Sequence, residues 1–339
     1  MIDLLVAGGG PVGLATAIGA RLRGLDVTVV EPRPGPVDKA CGEGLMPGAL
    51  DHLAVLGVDP PGRDFVGIRY VSGERSVRAR FTAGPGRGVR RTDLHDCLRD
   101  RACEVGVSFQ QGRVDEFEQD ADGVRAAGVR ARYLVGADGL HSQVRRLAGM
   151  TEAASTRQRF GVRQHFEVAP WDDVVEVHWL PDAEVYVTPV GANLVGVAAL
   201  GEAPLHLAAA IARLPFLART LGDAATASTL RGAGPLRQRV RSRRSGRVLL
   251  VGDAAGYVDA LTGEGLRVGF ATAEALVAAL AEDRPEDYER EWTRLTRSYR
   301  WLTSGLLVAA ARPRVRSIIV PSARAMPRVF GRIVDSLAR

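Results

Sequence analysis

The amino-acid sequence predicts an α/β fold: a parallel sheet with flanking helices, an inserted and mainly antiparallel second sheet, and helices at the C-terminus. Three observations predict it. Short apolar runs at 2–7, 27–30, 129–135 and 247–251 suit strands buried on both faces of a parallel sheet. The first of them runs through glycines into a segment with helical apolar spacing, the opening of a βαβ unit. Between residues 160 and 200 the pattern changes to four strand-length segments separated by turn residues.

Composition bounds the rest. A chain of 339 residues allows two or three domains. Hydrophobic residues at 46% and charged residues at 25% exclude disorder, and 39 glycines without a period exclude collagen. The net charge of +6 invites an anionic partner, but Lys/Arg-rich runs are nearly absent and aromatics are only 6%, which argues against nucleic acid. Cys41, Cys97 and Cys103 form neither a disulfide framework nor a metal pattern, and the expected compartment is the reducing cytoplasm. Residues 4–20 are uncharged, yet they lack a basic leader and are broken by Gly8, Gly9, Gly10 and Pro11, so they read as strand and helix. No other segment is long and apolar enough to span a membrane.

In chain order, the spacing predicts a strand at 2–7, a helix at 11–23 ended by Gly24, and a strand at 27–30. A Pro/Gly-rich loop at 32–48, a helix at 49–56 and two edge strands within 65–83 follow. A helix at 92–103 takes Thr92 or Asp93 as its cap. Strands fall at 107–110 and 129–135, then at 160–168, 174–180, 184–190 and 194–200. One helix is expected at 205–221, a strand at 247–251, and helices at 264–281 and 286–311. The tail from 313 mixes arginines with Ile318, Ile319, Val320, Val329, Phe330, Ile333 and Leu337. It either packs on the core, caps a lipophilic pocket, or lies on a membrane surface. The expected domains are 1–70, 85–150 and 245–285 for nucleotide binding, 155–230 for the second sheet, and 286–339 for the C-terminal helical segment.

Three motifs carry chemistry. Gly8-Gly9-Gly10-Pro11-Val12-Gly13 follows a strand and opens a helix, the Rossmann-like arrangement. Gly8 allows the tight turn, Gly10 lets a pyrophosphate approach the backbone, and Gly13 lets helix and strand pack closely. Glu31, 18 residues past Gly13 at the end of the second strand, suits an acid that binds both ribose hydroxyls of an adenosine; it disfavours a 2′-phosphate there. The second motif ends 133–139 in Asp138-Gly139; the third ends 248–256 in Gly252-Asp253-Ala254-Ala255-Gly256. Three such strand ends opening at one sheet edge suit a long dinucleotide. Asp253 could accept hydrogen bonds from a polyol chain, and the helix starting near Glu264 would aim its positive end at a flavin ring. Separately, Arg237, Arg239, Arg241 and Arg243 alternate, which would set four guanidinium groups on one strand face, either as a solvated edge or as a site for a phosphate-bearing nicotinamide or acidic partner.

Together these signatures resemble those of FAD-dependent oxidoreductases with the p-hydroxybenzoate hydroxylase fold, over residues 2 to about 280. The resemblance implies a Rossmann-like FAD-binding domain of that type and an inserted, mainly antiparallel substrate domain. It implies that Gly8, Gly10, Pro11, Val12, Gly13 and Glu31 hold the ADP half of FAD, with Arg33 reaching the adenosine side. Arg91, in Arg-Arg-Thr-Asp-Leu, would contact the pyrophosphate or ribityl region. Asp138, Gly252 and Asp253 would serve the FAD and its ribityl chain; Gly263, Glu264 and Gly265 would bring backbone to the isoalloxazine.

Two branches of the superfamily compete. The stretch from Asp253 to Gly265 and the loop Lys39-Ala-Cys41-Gly42-Glu43-Gly44 resemble the geranylgeranyl reductase branch, whereas its lipid-site motif is reduced here to Tyr186-Val-Thr-Pro189-Val-Gly191. Lys39 invites comparison with flavin halogenases, but their Trp-x-Trp-x-Ile-Pro motif is absent. The expected function is an FAD-dependent monooxygenase of a small lipophilic, aromatic or polyketide-like metabolite, with NAD(P)H as transient reductant. The alternative is a reductase of C=C bonds in an isoprenoid or related lipid. Catalytic candidates are Glu43 as a proton carrier and Cys41 packing on the ring; the plainer readings are a solvated loop acid and a small buried residue. No metal is expected. A monomer or homodimer with peripheral membrane contact through the C-terminal segment completes the expectation.

Overall fold

The computed structural model describes residues 1–153 and 158–338. The expected start of the second module at residue 155, and Arg339 at the end of the C-terminal segment, lie outside the described residues.

The first sheet runs in the order Arg244–Ser245, Val248–Leu250, Val129–Gly136, Ile2–Ala7, Val27–Glu31, Ser108–Gln111. The pairings from Val248–Leu250 through to Ser108–Gln111 are parallel. A hairpin, Phe117–Gln119 with Val124–Ala126, extends it off Val129–Gly136. The near-continuous apolar runs belong to the buried interior, with Leu4, Leu5, Val6, Val29, Leu134, Val135 and Leu249 all sealed from solvent. Helix Pro11–Leu22 packs against helices Arg91–Glu104 and Gly265–Ala281 over this sheet. It begins on Pro11 without a side-chain cap at Gly10, so its first-turn N–H groups face outward unsatisfied.

The second sheet runs Arg231–Ala233, Phe160–Phe166, Leu194–Gly201, Ala183–Gly191, Val175–Trp179, Gly67–Ser72, Arg75–Arg80. The four strands expected between 160 and 200 are antiparallel neighbours. Gly67–Ser72 is not an edge strand, as its alternation suggested. It pairs in parallel with Val175–Trp179, setting Ile68 opposite Val175 and Tyr70 opposite Val177. Apolar burial on a partner about a hundred residues away thus decides its place. A small third sheet joins Gly44–Leu45, Gly86–Gly88 and Arg63–Phe65.

Three further expectations change. The single helix at 205–221 is two, Leu207–Ala212 and Pro215–Gly222, because Pro215 forces Leu214 into extended backbone (φ −116°, ψ 91°). The arginine row at 237–243 is no continuous strand; it makes isolated bridges through Gln238 and Val240. Arg237, Arg239 and Arg241 stay exposed, whereas Arg243 turns inward to pair with Glu289 (2.6 Å) and stack on Trp292. The tail is helical: Pro313–Arg316, Ile319–Ala325 and Pro327–Ala338 follow the long helix Asp287–Ala310. Val320, Phe330 and Val334 pack with Phe65, Tyr70, Val77 and Trp179 of the second sheet. Arg316, buried, clamps this tail by donating to the Ala183 carbonyl (2.6 Å) and pairing with Glu184 (2.7 Å). Among the described residues no helix is long and apolar enough to cross a membrane.

Candidate active site

The three motif turns meet at the C-terminal edge of the parallel strands. A methyl group on Gly8 (φ +109°) would stand 2.5 Å from the Ala137 carbonyl oxygen, and one on Gly13 would strike the Gly8 carbonyl. Gly252 (φ +61°) faces Val12 at 3.1 Å from the same virtual Cβ, and Val251 N–H donates to Gly136 O (3.0 Å). Strand order alone places them so: Ile2–Ala7, Val129–Gly136 and Val248–Leu250 are adjacent and parallel, and such sheets bind ligands at their carboxyl ends. Gly10 has nothing within 4 Å of a would-be Cβ, leaving open space over the uncapped helix terminus. This is the cradle a pyrophosphate needs.

Glu31 is buried at the end of its strand. Its Oε2 accepts from Gly9 N–H (2.7 Å), and Arg33 grips the carboxylate through Nε (2.6 Å) and its own backbone N–H (3.1 Å). Burial would raise its pKa, but the hydrogen bonds from Arg33 and Gly9 outweigh it and hold the carboxyl below its ordinary value. Arg33 is therefore a partner of Glu31 on its exposed side. An incoming ribose would share Glu31 with it. Asp138 gives one oxygen to the N–H groups of Gln143 (2.7 Å) and Val144 (3.1 Å), capping a short helix; its Oδ1 is buried without a partner.

Around Asp253 the charges stand unpaired. Burial pushes its carboxyl up, while Lys39, Arg91 and Arg145 act against that. Lys39 lies beside Gly139; burial lowers its pKa, and it makes no ion pair among the described residues. Arg91 opens its helix with a buried, unpartnered Nε. Gly263 (φ +71°) lies exposed and Gly265 starts the Gly265–Ala281 helix, again without a side-chain cap. Glu264 instead folds in against Arg267, leaving Oε2 buried and orphaned. Open glycine backbone, two uncapped helix termini and partly buried unpaired charges on one edge fit FAD.

Glu43 is no solvated acid. At φ +60° it is buried at 3% exposure; Oε1 accepts from Arg91 N–H (2.8 Å), and Oε2 lies 2.6 Å from His165 Nε2. Arg163 approaches at 3.7 Å and is itself bound to Asp38 and the Lys39 carbonyl. His165 Nδ1 continues to Ser228 Oγ (2.8 Å). This network pins the 38–45 loop to the second sheet. Cys41, partly buried, accepts from Glu43 N–H at 3.5 Å, so its thiol is turned to its own loop backbone.

Several residues that act here had escaped the sequence reading. Arg145, buried, donates to Ala254 O (3.0 Å), Leu140 O (2.7 Å) and Gln238 Oε1 (2.9 Å), tying the second and third turns together. His95 Nε2 meets Gly9 O (3.0 Å), bracing the first. Asp259 is buried near Arg159 (3.5 Å); burial first, then Glu184, pushes it up to about 6. Arg163 and His165, two apart on one strand, were the available signal: charge repeating at period two on an inward face. Exposed Arg237, Arg239 and Arg300 ring a cavity of about 260 Å³ floored by Trp292 and Tyr299. No cluster able to hold a metal occurs among the described residues.

Comparison with known proteins agrees with this geometry. Residues 1–187 match an FAD binding domain family. A menaquinone reductase of Mycobacterium tuberculosis is 31% identical, the match covering 86% of this chain and 79% of that protein. A rifampicin monooxygenase of Rhodococcus hoagii is 32% identical over 46% of this chain and 36% of its own. In fold, p-nitrophenol 4-monooxygenase of Pseudomonas putida superposes with a TM-score of 0.80 at 20% identity, covering 100% of this chain and 98% of that one. The fold and the family match are those of a flavoprotein oxidoreductase. The chain belongs to the FAD-binding-domain family of FAD-dependent oxidoreductases and monooxygenases, with the p-hydroxybenzoate hydroxylase-type fold.

Proposed function

We propose that this chain is an NAD(P)H-dependent FAD monooxygenase, working in the cytoplasm on a small lipophilic, aromatic or polyketide-like molecule. The chemistry a bound FAD supplies is two-electron transfer to oxygen: RH + O₂ + NAD(P)H + H⁺ gives ROH + H₂O + NAD(P)⁺. In this reading the first-turn N–H groups of helix Pro11–Leu22 neutralise the phosphates. Glu31 orients the adenosine ribose, and Asp253 receives the ribityl hydroxyls. Arg145 and His95 keep the three turns in register. The apolar cluster of Met46, Phe65, Tyr70, Trp179, Leu261 and Phe330 borders the cofactor loops and keeps water out.

The observation that carries the proposal is the state of Glu43. Reducing an isolated C=C bond requires a proton delivered to carbon. Both oxygens of Glu43 are turned into the fold, to Arg91 N–H and His165, which supports a role in positioning the loop rather than contact with a substrate carbon. Oxygen transfer to an aromatic substrate asks mainly for a dry, oriented pocket. A second reading, reduction of a C=C bond in an isoprenoid-type lipid, is favoured by long matches to reductases, a menaquinone reductase and a digeranylgeranylglycerophospholipid reductase. The test is NAD(P)H oxidation by the yellow protein with phenolic and isoprenoid substrates, in ¹⁸O₂ and under anaerobiosis. Label in the product supports the monooxygenase; product formed without oxygen overturns it in favour of the reductase.

A further inference from the structure

We propose that the C-terminal helices form a docking face for an anionic lipid bilayer. Charge is the first observation. Residues 292–339 hold ten arginines and one carboxylate, Asp335, a net charge of +9; the whole chain is +6, which leaves −3 for the preceding 291 residues. The first 291 residues thus balance 35 basic groups against 38 carboxylates, whereas this segment has almost no carboxylates to offset its arginines. The single carboxylate is turned inward to Thr82 N–H (2.7 Å).

Exposure is the second. Helix Pro327–Ala338 buries Phe330 and Val334 against the second sheet, and Leu337 is buried too, so its packing on the fold is already satisfied. On its other side Val329 (48%) and Ile333 (42%) stand in solvent, continued by Met326 (53%) one turn before. The spacing 326, 329, 333 sets them in one stripe. Upstream, Trp301 (75%) and Val308 (55%) form a second stripe on helix Asp287–Ala310, and Ile318 (53%) lies between the two in sequence. Arg312, Arg314, Arg324, Arg328 and Arg332, all exposed, accompany these side chains. An apolar stripe flanked by arginines is the composition of a helix lying in a headgroup layer, where the apolar groups enter the acyl boundary and the guanidinium groups meet phosphate. An exposed tryptophan fits the same boundary. With no helix long enough to cross a membrane among the described residues, the protein would lie on the surface.

The placement also bears on access to the site. The inner faces of these same helices contribute Ala310, Val320, Phe330 and Val334 to the cluster that includes Met46 and Leu261 of the cofactor-side loops. A lipophilic molecule leaving the bilayer would meet that cluster first. Docking itself does not depend on whether the flavin oxygenates or reduces.

The test uses the FAD-loaded full chain and sucrose-loaded vesicles of phosphatidylcholine with 0, 20 or 40 mol% phosphatidylglycerol. Co-sedimentation should rise with phosphatidylglycerol and fall with salt. The triple variant R324E/R328E/R332E should bind at least roughly tenfold more weakly, since each arginine near an anionic surface contributes severalfold. M326S/V329S/I333S should lose binding, with unchanged circular dichroism and flavin absorbance. Brominated lipid should quench wild-type tryptophan fluorescence, and Trp301→Phe, which leaves the packed side of the helix untouched, should abolish most of that quenching. No sedimentation at 40 mol% phosphatidylglycerol in low salt overturns the proposal. So does a concentration-dependent dimer that M326S/V329S/I333S dissociates while the wild type ignores vesicles, because the stripe is then covered by a second copy. Flavin reduction by NAD(P)H without vesicles is read separately and reports on the redox proposal alone.

Discussion

Replacing Asp259 by Asn should make the protein more stable above pH 6, and by an amount that depends on pH in a defined way. Asp259 is 3% exposed, accepts one backbone hydrogen bond from Leu261 N–H (3.0 Å) and lies 3.5 Å from Arg159. Arg159 is shared with Glu184, so its charge does not fully offset burial. Burial pushes the Asp259 carboxyl from 3.8 to about 6. A folded-state pKa raised above the unfolded one means that the native state binds the extra proton between these values. Stability is therefore lost as pH rises through that window. The difference of about 2.2 units corresponds to about 3 kcal/mol at 1.36 kcal/mol per unit, the ceiling for an isolated group. Asn does not titrate. The stability of D259N relative to wild type should be constant below about pH 4, climb between pH 4 and 6, and level off above, with Arg159 still paired to Glu184. Urea unfolding of the FAD-loaded proteins from pH 3.5 to 8 measures it. A flat difference across that range, or one that falls with pH, refutes the reasoning.

Gly10→Ala should fold normally, because open space surrounds its Cβ, yet bind FAD roughly tenfold more weakly, a loss of about 1.4 kcal/mol in titration. Gly13→Ala, whose methyl group meets the Gly8 carbonyl, should instead lower stability by about 1–3 kcal/mol before any cofactor is added, seen as a fall in melting temperature. Arg316→Ala leaves the buried Glu184 with Arg159 alone, unpairs the Ala183 carbonyl and releases the tail; a loss of about 1–3 kcal/mol is expected, with faster amide exchange over 313–338 than over the first sheet. Glu43→Gln removes the charge between His165 and Arg163; amide exchange at 38–45 should rise, whereas the parallel sheet should not respond.

The first sheet and its three turns were legible because their signals are local. A strand buried on both faces reads as an apolar run, and Gly8, Gly10 and Gly13 fall within one six-residue turn whose spacing is itself the signal. The placement of Gly67–Ser72 was not legible, since its partner Val175–Trp179 is chosen by side-chain packing across the chain rather than by its own pattern. The same holds for charge. Glu43 in a Gly-rich loop has the sequence context of a solvated acid, and only the fold brings His165 and Arg163 to it. Arg243 and Arg316 look like members of exposed rows until the tertiary structure turns them inward onto Trp292 and Glu184. Asp138 follows the strand Val129–Gly136 at the sheet edge, where one of its oxygens caps a helix, a use that spacing does not reveal.

The parallel pairing of Gly67–Ser72 with Val175–Trp179 also sets an order of events at the ribosome. During synthesis, the hairpin Gly67–Ser72/Arg75–Arg80 emerges long before the strand it must join. Its Ile68 and Tyr70 face must wait, uncovered, while about a hundred further residues are translated, some 5–20 seconds at about 5–20 residues per second. Nascent-chain aggregation and chaperone demand should therefore concentrate on that interval, and a truncation ending shortly before residue 175 should be far less soluble than one ending just after 201.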